Sequence, residues 1–307
     1  MKTIGVAFIT HQAKQHLPHC LSPYLNSPLK PRVLVVNSSS NDGTVELAQE
    51  LGAETLVIPR AEFNHGTTRE AARKYLNTDI VVMVTPDAYA SNADTLEELI
   101  RPIIENKASV TYARQIPHDG SDFFESFPRA FNYPSKSHIR GIADIDQYGV
   151  YTFFCSNSCA AYCNKALDSI GGFPSVLLGE DTIVVSNLLN RGHKIAYVAE
   201  AVVKHSHRYS LKQEFQRNFD TGLARSSYRH LFAGTKDLKR GKAFVVTMLK
   251  QLGKDNPSLI PYAFVQIMAK WSGYRLGQAC VNVPTWIKRL FSSQDFYWSS
   301  NDYKKHS

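Results

Sequence analysis

The chain has 307 residues, 43% hydrophobic and 20% charged, enough apolar material for a sizeable core in one large domain or a domain with an appendage. It contains no run of eighteen uncharged apolar residues, and its start, MKTIGVAFIT, lacks the apolar core and cleavage site of a secretory signal, so a cytoplasmic protein is expected. The net charge of +8 is uneven: residues 1–200 hold 17 Lys and Arg against 21 Asp and Glu, whereas residues 201–307 hold 18 against 6, so the basic tail is expected to meet an anionic partner.

In chain order, residues 4–10 (IGVAFIT) and 33–37 (VLVVN) are short β-branched apolar runs, the pattern of buried parallel strands. A helix over 14–26 between them makes a βαβ start. Asp42-Gly43-Thr44 opens a second helix whose Val45, Leu47, Ala48 and Leu51 suit a core, and a strand at 55–58 follows. After Phe63-Asn64-His65-Gly66 comes a helix at about 67–76, then a strand, IVVMVT (80–85), that stops at Pro86-Asp87. This alternation predicts a Rossmann-like doubly wound sheet with ligands beyond the carboxyl ends of its strands, where Thr10-His11, Asn37-Ser38 and Thr85–Asp87 stand.

Residues 115–150 mix aromatics, Pro, Asp and Gly without clear period and read as a long loop near the site. After the turn Gly171-Gly172-Phe173-Pro174, Gly179-Glu180-Asp181 opens a helix that stops at Gly192 and leads into a strand. From 208 onward the pattern is mostly helical, with breaks near Gly253–Pro257 and Val283–Pro284. Five cysteines (Cys20, Cys155, Cys159, Cys163, Cys280) form neither an even framework nor a zinc pattern and are expected as buried thiols.

Four places carry candidate chemistry. Asp87, at the end of a buried strand, suits a divalent cation such as Mg2+ or Mn2+, which takes oxygen ligands and shares substrate phosphates; read alone, it equally suits a turn. Glu180 and Asp181 offer two acids at a helix N-terminus, where favouring the macrodipole is the alternative. In Lys204-His205-Ser206-His207, one imidazole would complete a metal site begun by Asp87; a solvated His pair is the alternative. Arg69, near the start of its helix, suits a diphosphate or else a surface ion pair.

The order of these segments resembles family-2 glycosyltransferases of the GT-A fold, within them the rhamnosyltransferases of O-antigen and capsule assembly. The resemblance runs over about residues 3–220 and rests on VVNSSSNDGT, FNHGTTRE, TPDA, FFCSNSCAAY with IGGFP, and GEDTIVVSNLLNRGHKIAYVAEAVVKHSH. It implies an α/β GT-A domain at 1–220 with a helical, basic C-terminal region at 221–307. By position it implies that Thr10, His11, Asn37 and Asp42 line the nucleoside pocket, that Arg69 approaches the phosphates, and that Asp87 with His205 supports the metal. Asp181 helped by Glu180 would be the general base, with Asn157 near the sugar or acceptor.

The implied activity is inverting transfer of a sugar, with rhamnose from thymidine-diphospho-rhamnose as the best match, to a hydroxyl of a glycan or lipid-linked glycan. Two departures stand out. Asn37 replaces a frequent Asp at the base and ribose, and Thr85 replaces the first acid of the metal-binding Asp-x-Asp. The second departure keeps a non-catalytic nucleotide-sugar-binding protein as the alternative. Basic and aromatic helices in 225–307, such as WIKRLFSSQDFYW, are expected on the inner membrane surface. A nucleic-acid partner is not expected, since no zinc knuckle, RNP-like segment or KH loop occurs.

Overall fold

The computed structural model describes residues 2–232, 238–301 and 303. Its first half is a βαβ series of β1 (Ile4–Thr10), α1 (Leu17–Leu25), β2 (Arg32–Asn37), α2 (Thr44–Glu50), β3 (Glu54–Val57), α3 (His65–Leu76) and β4 (Ile80–Val84). The strands pair in parallel in the order β3-β2-β1-β4. Every residue of β1 and β4 is buried, because alternate side chains enter opposite layers. Val6 and Phe8 pack with Leu17, Leu21 and Tyr24 of α1, whereas Ala7 and Ile9 pack with Ala72 and Leu76 of α3.

The series continues with β5 (Tyr89–Ala90), α4 (Thr95–Ile104), β6 (Val110–Ile116), α5 (Phe123–Asn132), β7 (His138–Arg140), α6 (Ile145–Tyr148), β8 (Cys159–Cys163), α7 (Asn164–Ser169), α8 (Glu180–Asn190) and β9 (Ile195–Lys204). β8 lies antiparallel between β4 and β6, and β9 runs parallel to β6 while β5 and β7 flank it antiparallel. The result is a nine-stranded mixed sheet.

The segment 115–150 departs from the expected loop, because α5, β7 and α6 lie inside it. Asp122 and Glu125 close a reciprocal capping box at the start of α5. Phe123, Phe127 and Phe131 follow at four-residue spacing and share a face, with Phe127 5.0 Å from Phe244. Arg140, fully buried, donates to the carbonyls of Tyr151 (2.6 Å) and Phe154 (2.7 Å), which fixes the stretch that leads into the site.

The C-terminal helices are α9 (Leu211–Ser227), α10 (Leu238–Asp255), α11 (Ile260–Ala279), α12 (Thr285–Phe291) and α13 (Asp295–Ser299), and the breaks before α11 and α12 fall where the sequence places them. The expected boundary at 220/221 falls inside α9, which runs unbroken across it. α9 and α11 touch backbone to backbone: a Cβ at Gly222, Gly273 or Gly277 would lie 2.2, 2.3 or 2.1 Å from a carbonyl oxygen of the facing helix. Leu177 packs with Phe219, Cys280 and Trp298, so the helical layer and the sheet domain share a core. Among the described residues no helix is long and apolar enough to cross a membrane. All five cysteines are free thiols, four of them buried and Cys163 half-buried.

Candidate active site

Strand register brings Asp87 to the histidines. Tyr89 pairs with Lys204 and Ala90 with Val203 in antiparallel fashion, so the chain just before β5 lies across from the chain just after β9. An irregularity in β9 opposite Ala113 and Arg114 lets its end stay paired with β6, and the His205 N–H donates to the Ile116 carbonyl (2.8 Å). Oδ2 of Asp87 is then 3.5 Å from Nε2 of His205 and 3.3 Å from Nε2 of His207. One ligand atom from each of the three lies within 4.8 Å of the others.

The proton positions suit this cluster to a cation. Nδ1 of His205 is 2.9 Å from Oε1 of Gln115, whose amide nitrogen donates to Ser156, so Nδ1 is assigned the proton and Nε2 a lone pair. That lone pair faces a carboxylate. Burial works to raise the Asp87 carboxyl, but the two imidazoles beside it, which take up protons before it does as pH falls, outweigh burial and hold it well below the usual carboxylate range. Burial lowers His205, and burial together with His205 pushes His207 down to about 4, so both imidazoles are neutral at neutral pH. Neutral imidazoles with an ionised carboxylate are a donor set that accepts a divalent cation.

Glu180 and Asp181 occupy the first turn of α8 behind Gly179, a left-handed residue (φ +81°). Glu180 is buried, 3.2 Å from Nη1 of Arg69, and accepts from the Asn157 amide (2.8 Å). Burial opposes its ionisation, but Arg69, His65 and Asn157 together hold its pKa below the ordinary value. Asp181 accepts from the backbone N–H groups of Asn157 (3.2 Å) and Thr182 (2.7 Å). Burial, then the charge of Glu180, raises its pKa to about 6, near the optimum for a general base at neutral pH.

Asn157 links the two clusters. The next residue, Ser158, accepts from the Thr85 N–H (3.2 Å) at the end of β4, two residues before Asp87. Asp87, His205, His207, Asn157, Glu180 and Asp181 accordingly line one cavity of about 840 Å3. The glycine of FNHGTT is needed here, because a Cβ at Gly66 would lie 1.7 Å from the Pro174 carbonyl oxygen. Asn64 caps α3 and donates to the Val176 carbonyl (3.0 Å), which ties the Arg69 helix to the loop before Glu180.

The other residues read from the sequence lie differently. Arg69 lines the cavity, but its Nη1 is committed to Glu180 and to the His65 carbonyl (2.8 Å). His11 lines it, with Nδ1 3.1 Å from the Ser38 carbonyl. Thr10, Asn37 and Asp42 are not among the lining residues. Asn37 donates to Thr10 (3.1 Å) and Ser40 (2.8 Å), while Asp42 accepts from the N–H groups of Lys14 and Thr44 (both 3.1 Å), so they shape the loop beside the cavity. The sequence reading missed Gln115, Arg129 and Arg217; the last two stand in the wall on α5 and α9. An Arg in a capped amphipathic helix was the available signal, and it does not separate a wall residue from a surface one.

With this geometry in view, the likeness to known proteins is specific. The sequence pattern of the family described as Glycosyl transferase family 2 matches residues 6–171. The O-antigen chain rhamnosyltransferase RfbN of Salmonella typhimurium is 35% identical over 301 residues, covering 96% of this chain and 95% of that protein. The O-antigen chain rhamnosyltransferase WbaN of Salmonella anatum is 35% identical over 290 residues, 93% and 91% of the two chains. Among solved structures, the mannosyltransferase PcManGT from Pyrobaculum calidifontis, in complex with GDP-Man and Mn2+, superposes with a TM-score of 0.59 over 99% of this chain and 87% of that one at 16% identity, a likeness of fold. A pattern spanning more than half the chain and relatives aligned nearly end to end lead to one conclusion: the chain belongs to glycosyl transferase family 2 and is a glycosyltransferase of the GT-A fold.

Proposed function

We propose that this glycosyltransferase moves rhamnose from thymidine-diphospho-rhamnose to a hydroxyl of a glycan or lipid-linked glycan, with inversion, in the synthesis of a cell-surface polysaccharide. The observation that carries the reading is the meeting of Asp181 with Asp87, His205 and His207 in one cavity. The names of RfbN and WbaN support the sugar and the pathway.

Asp181 takes the proton of the acceptor hydroxyl as its oxygen attacks the anomeric carbon from the side opposite the diphosphate. The anomeric carbon–oxygen bond breaks and its electron pair leaves with the nucleoside diphosphate. Burial, together with Glu180 kept ionised by Arg69, raises the Asp181 pKa to about 6, so Arg69 is a positioning residue. Asn157 orients both acids and stands where sugar and acceptor meet. Asp87, His205 and His207 would hold Mg2+ or Mn2+, the two imidazoles favouring Mn2+, with His207 in place of the ligand that Thr85 cannot supply; a cation held there would supply positive charge beside the diphosphate. Thr10, His11, Asn37 and Asp42 frame the nucleoside side.

The test offers thymidine-diphospho-rhamnose, UDP-glucose and GDP-mannose in turn, with Mn2+ and a polysaccharide-repeat acceptor, and follows nucleoside diphosphate release. Release from the rhamnose donor alone is expected; faster release from either other donor sinks the donor assignment. Donor binding with no turnover on any acceptor would favour a non-catalytic nucleotide-sugar-binding protein.

We also propose a cytoplasmic chain that rests on the inner membrane surface. Phe264, Met268 and Trp271 on one face of α11, with Trp286 and Leu290 on α12, are exposed within the basic region. Trp298 is buried, so only the first half of the 286–298 segment is free to contribute. Co-sedimentation with anionic vesicles that survives Phe264→Ser with Trp271→Ser would overturn this.

A further inference from the structure

The basic side chains in the cavity wall fall into two groups. Arg69 pairs with Glu180 and Lys270 with Glu214, each at 3.2 Å. Arg129, Arg217 and Arg225 line the same cavity and form no salt bridge among the described residues. Nε of Arg129 is buried without a hydrogen-bond partner. Arg217 meets Tyr209, whose hydroxyl accepts from it at 3.3 Å and whose ring lies 5.4 Å below the guanidinium.

Tyr209 connects Arg217 to the metal-ligand cluster. Its ring centroid is 5.2 Å from that of His207, and His207 is 3.3 Å from Asp87. Guanidiniums without a salt-bridge partner in one cavity wall favour the entry of an anion. Their forked donors match phosphate oxygens, and a diphosphate offers one phosphate to each.

We infer that Arg129 and Arg217 form an anion clamp for a diphosphate in the cavity, beside the Asp87, His205 and His207 cluster. This rests on the transferase reading and deepens it by assigning the residues that receive the leaving group. The clamp acts where charge grows, because the diphosphate gains negative charge as the anomeric bond breaks. A diphosphate enters such a cavity from two sources: the departing nucleoside diphosphate, and the diphosphate that joins a lipid to an acceptor glycan. The short path through Tyr209 to His207 favours the first.

The test uses the full chain and Arg129→Gln, Arg217→Gln and the double variant, with folding checked by melting. Thymidine diphosphate and thymidine monophosphate are titrated calorimetrically with Mn2+ present. Each single variant is expected to bind the diphosphate about tenfold more weakly, and the double variant about a hundredfold, the scale of charge-assisted contacts, while monophosphate binding changes far less. Unchanged diphosphate binding with a raised KM for a diphosphate-linked acceptor, and none for its phosphate-free analogue, keeps the clamp and assigns it to the acceptor. No change in either measurement overturns the clamp. If the unaltered chain binds no thymidine diphosphate, the proposed donor fails first, and the clamp for its diphosphate with it.

Discussion

Nε2 of His205 and Oδ2 of Asp87 face each other across 3.5 Å with no proton assigned between them, because the His205 proton is on Nδ1 and directed at Gln115. Two electron-rich atoms held that way repel unless a cation joins them. The register of β5 on β9 builds this opposition into the sheet.

Mn2+ affinity, read from the free-ion signal in electron paramagnetic resonance, is therefore expected to fall at least tenfold in Asp87→Asn and in His207→Gln. Gln115→Leu, which releases the His205 ring, is expected to cost about tenfold or more, the scale of lost outer-shell support. Unaltered Mn2+ binding in all three would rule the cluster out as a metal centre.

The pH profile follows from Asp181. A base must be deprotonated to act, and this carboxyl is raised to about 6 by burial and by Glu180. Turnover is expected to fall tenfold per pH unit below about 6 and to level off above it. His207, pushed down to about 4, stays neutral over that interval, so the acid limb belongs to Asp181. Asp181→Asn is expected to lose transfer while donor binding persists; comparable turnover would remove Asp181 from the mechanism.

The same shift has a consequence for stability. Between the unfolded carboxyl pKa, near 4, and about 6, the native chain keeps a proton that the unfolded chain has released, so stability drops as pH rises through that interval. Above it the deficit is up to about 3 kcal/mol, from ~1.4 kcal/mol per pKa unit. Asp181→Asn is expected to melt a few degrees higher than the parent at pH 7.5 and at the same temperature at pH 4, by scanning calorimetry. A variant that melts lower at pH 7.5 would contradict the assigned shift.

Arg69→Met removes the cation beside buried Glu180. Breaking a buried pair from one side costs about 3 kcal/mol or more, against little for removing both charges. Urea unfolding is expected to register that loss for Arg69→Met and to recover part of it in Arg69→Met with Glu180→Gln. Equal stability of parent and single variant would mean that the pair does not form in solution.

The parallel half of the sheet was readable because strands buried on both faces are written as unbroken apolar runs, as in IGVAFIT and IVVMV. Asp87, His205 and the Glu180-Asp181 pair were readable because chemistry-bearing residues stand at strand and helix ends. Helix α5 was not, since Pro128 and the adjacent Phe124 blur its period and its stabilising partner, Phe244, lies far along the chain. Arg69 and Arg129 show the same limit from opposite sides. Whether a guanidinium is free depends on which acid the fold brings near it, and Glu180 reaches only the first. Asn37 and Asp42 sit at the expected strand end and loop, yet local donors occupy their side chains, a matter of loop geometry rather than residue type.

Residues 217, 218, 221, 224 and 225 of α9 form one wall of the chamber, and α11 backs them with nothing but backbone at Gly273 and Gly277. Two helices in such contact leave no gap to be filled between them. The calibre of the substrate chamber is thereby set partly from its outer side, by glycines that no substrate touches. A methyl group added at either glycine presses α9 toward the chamber, narrowing the room for a bulky acceptor while Asp87 and Asp181 stay in place.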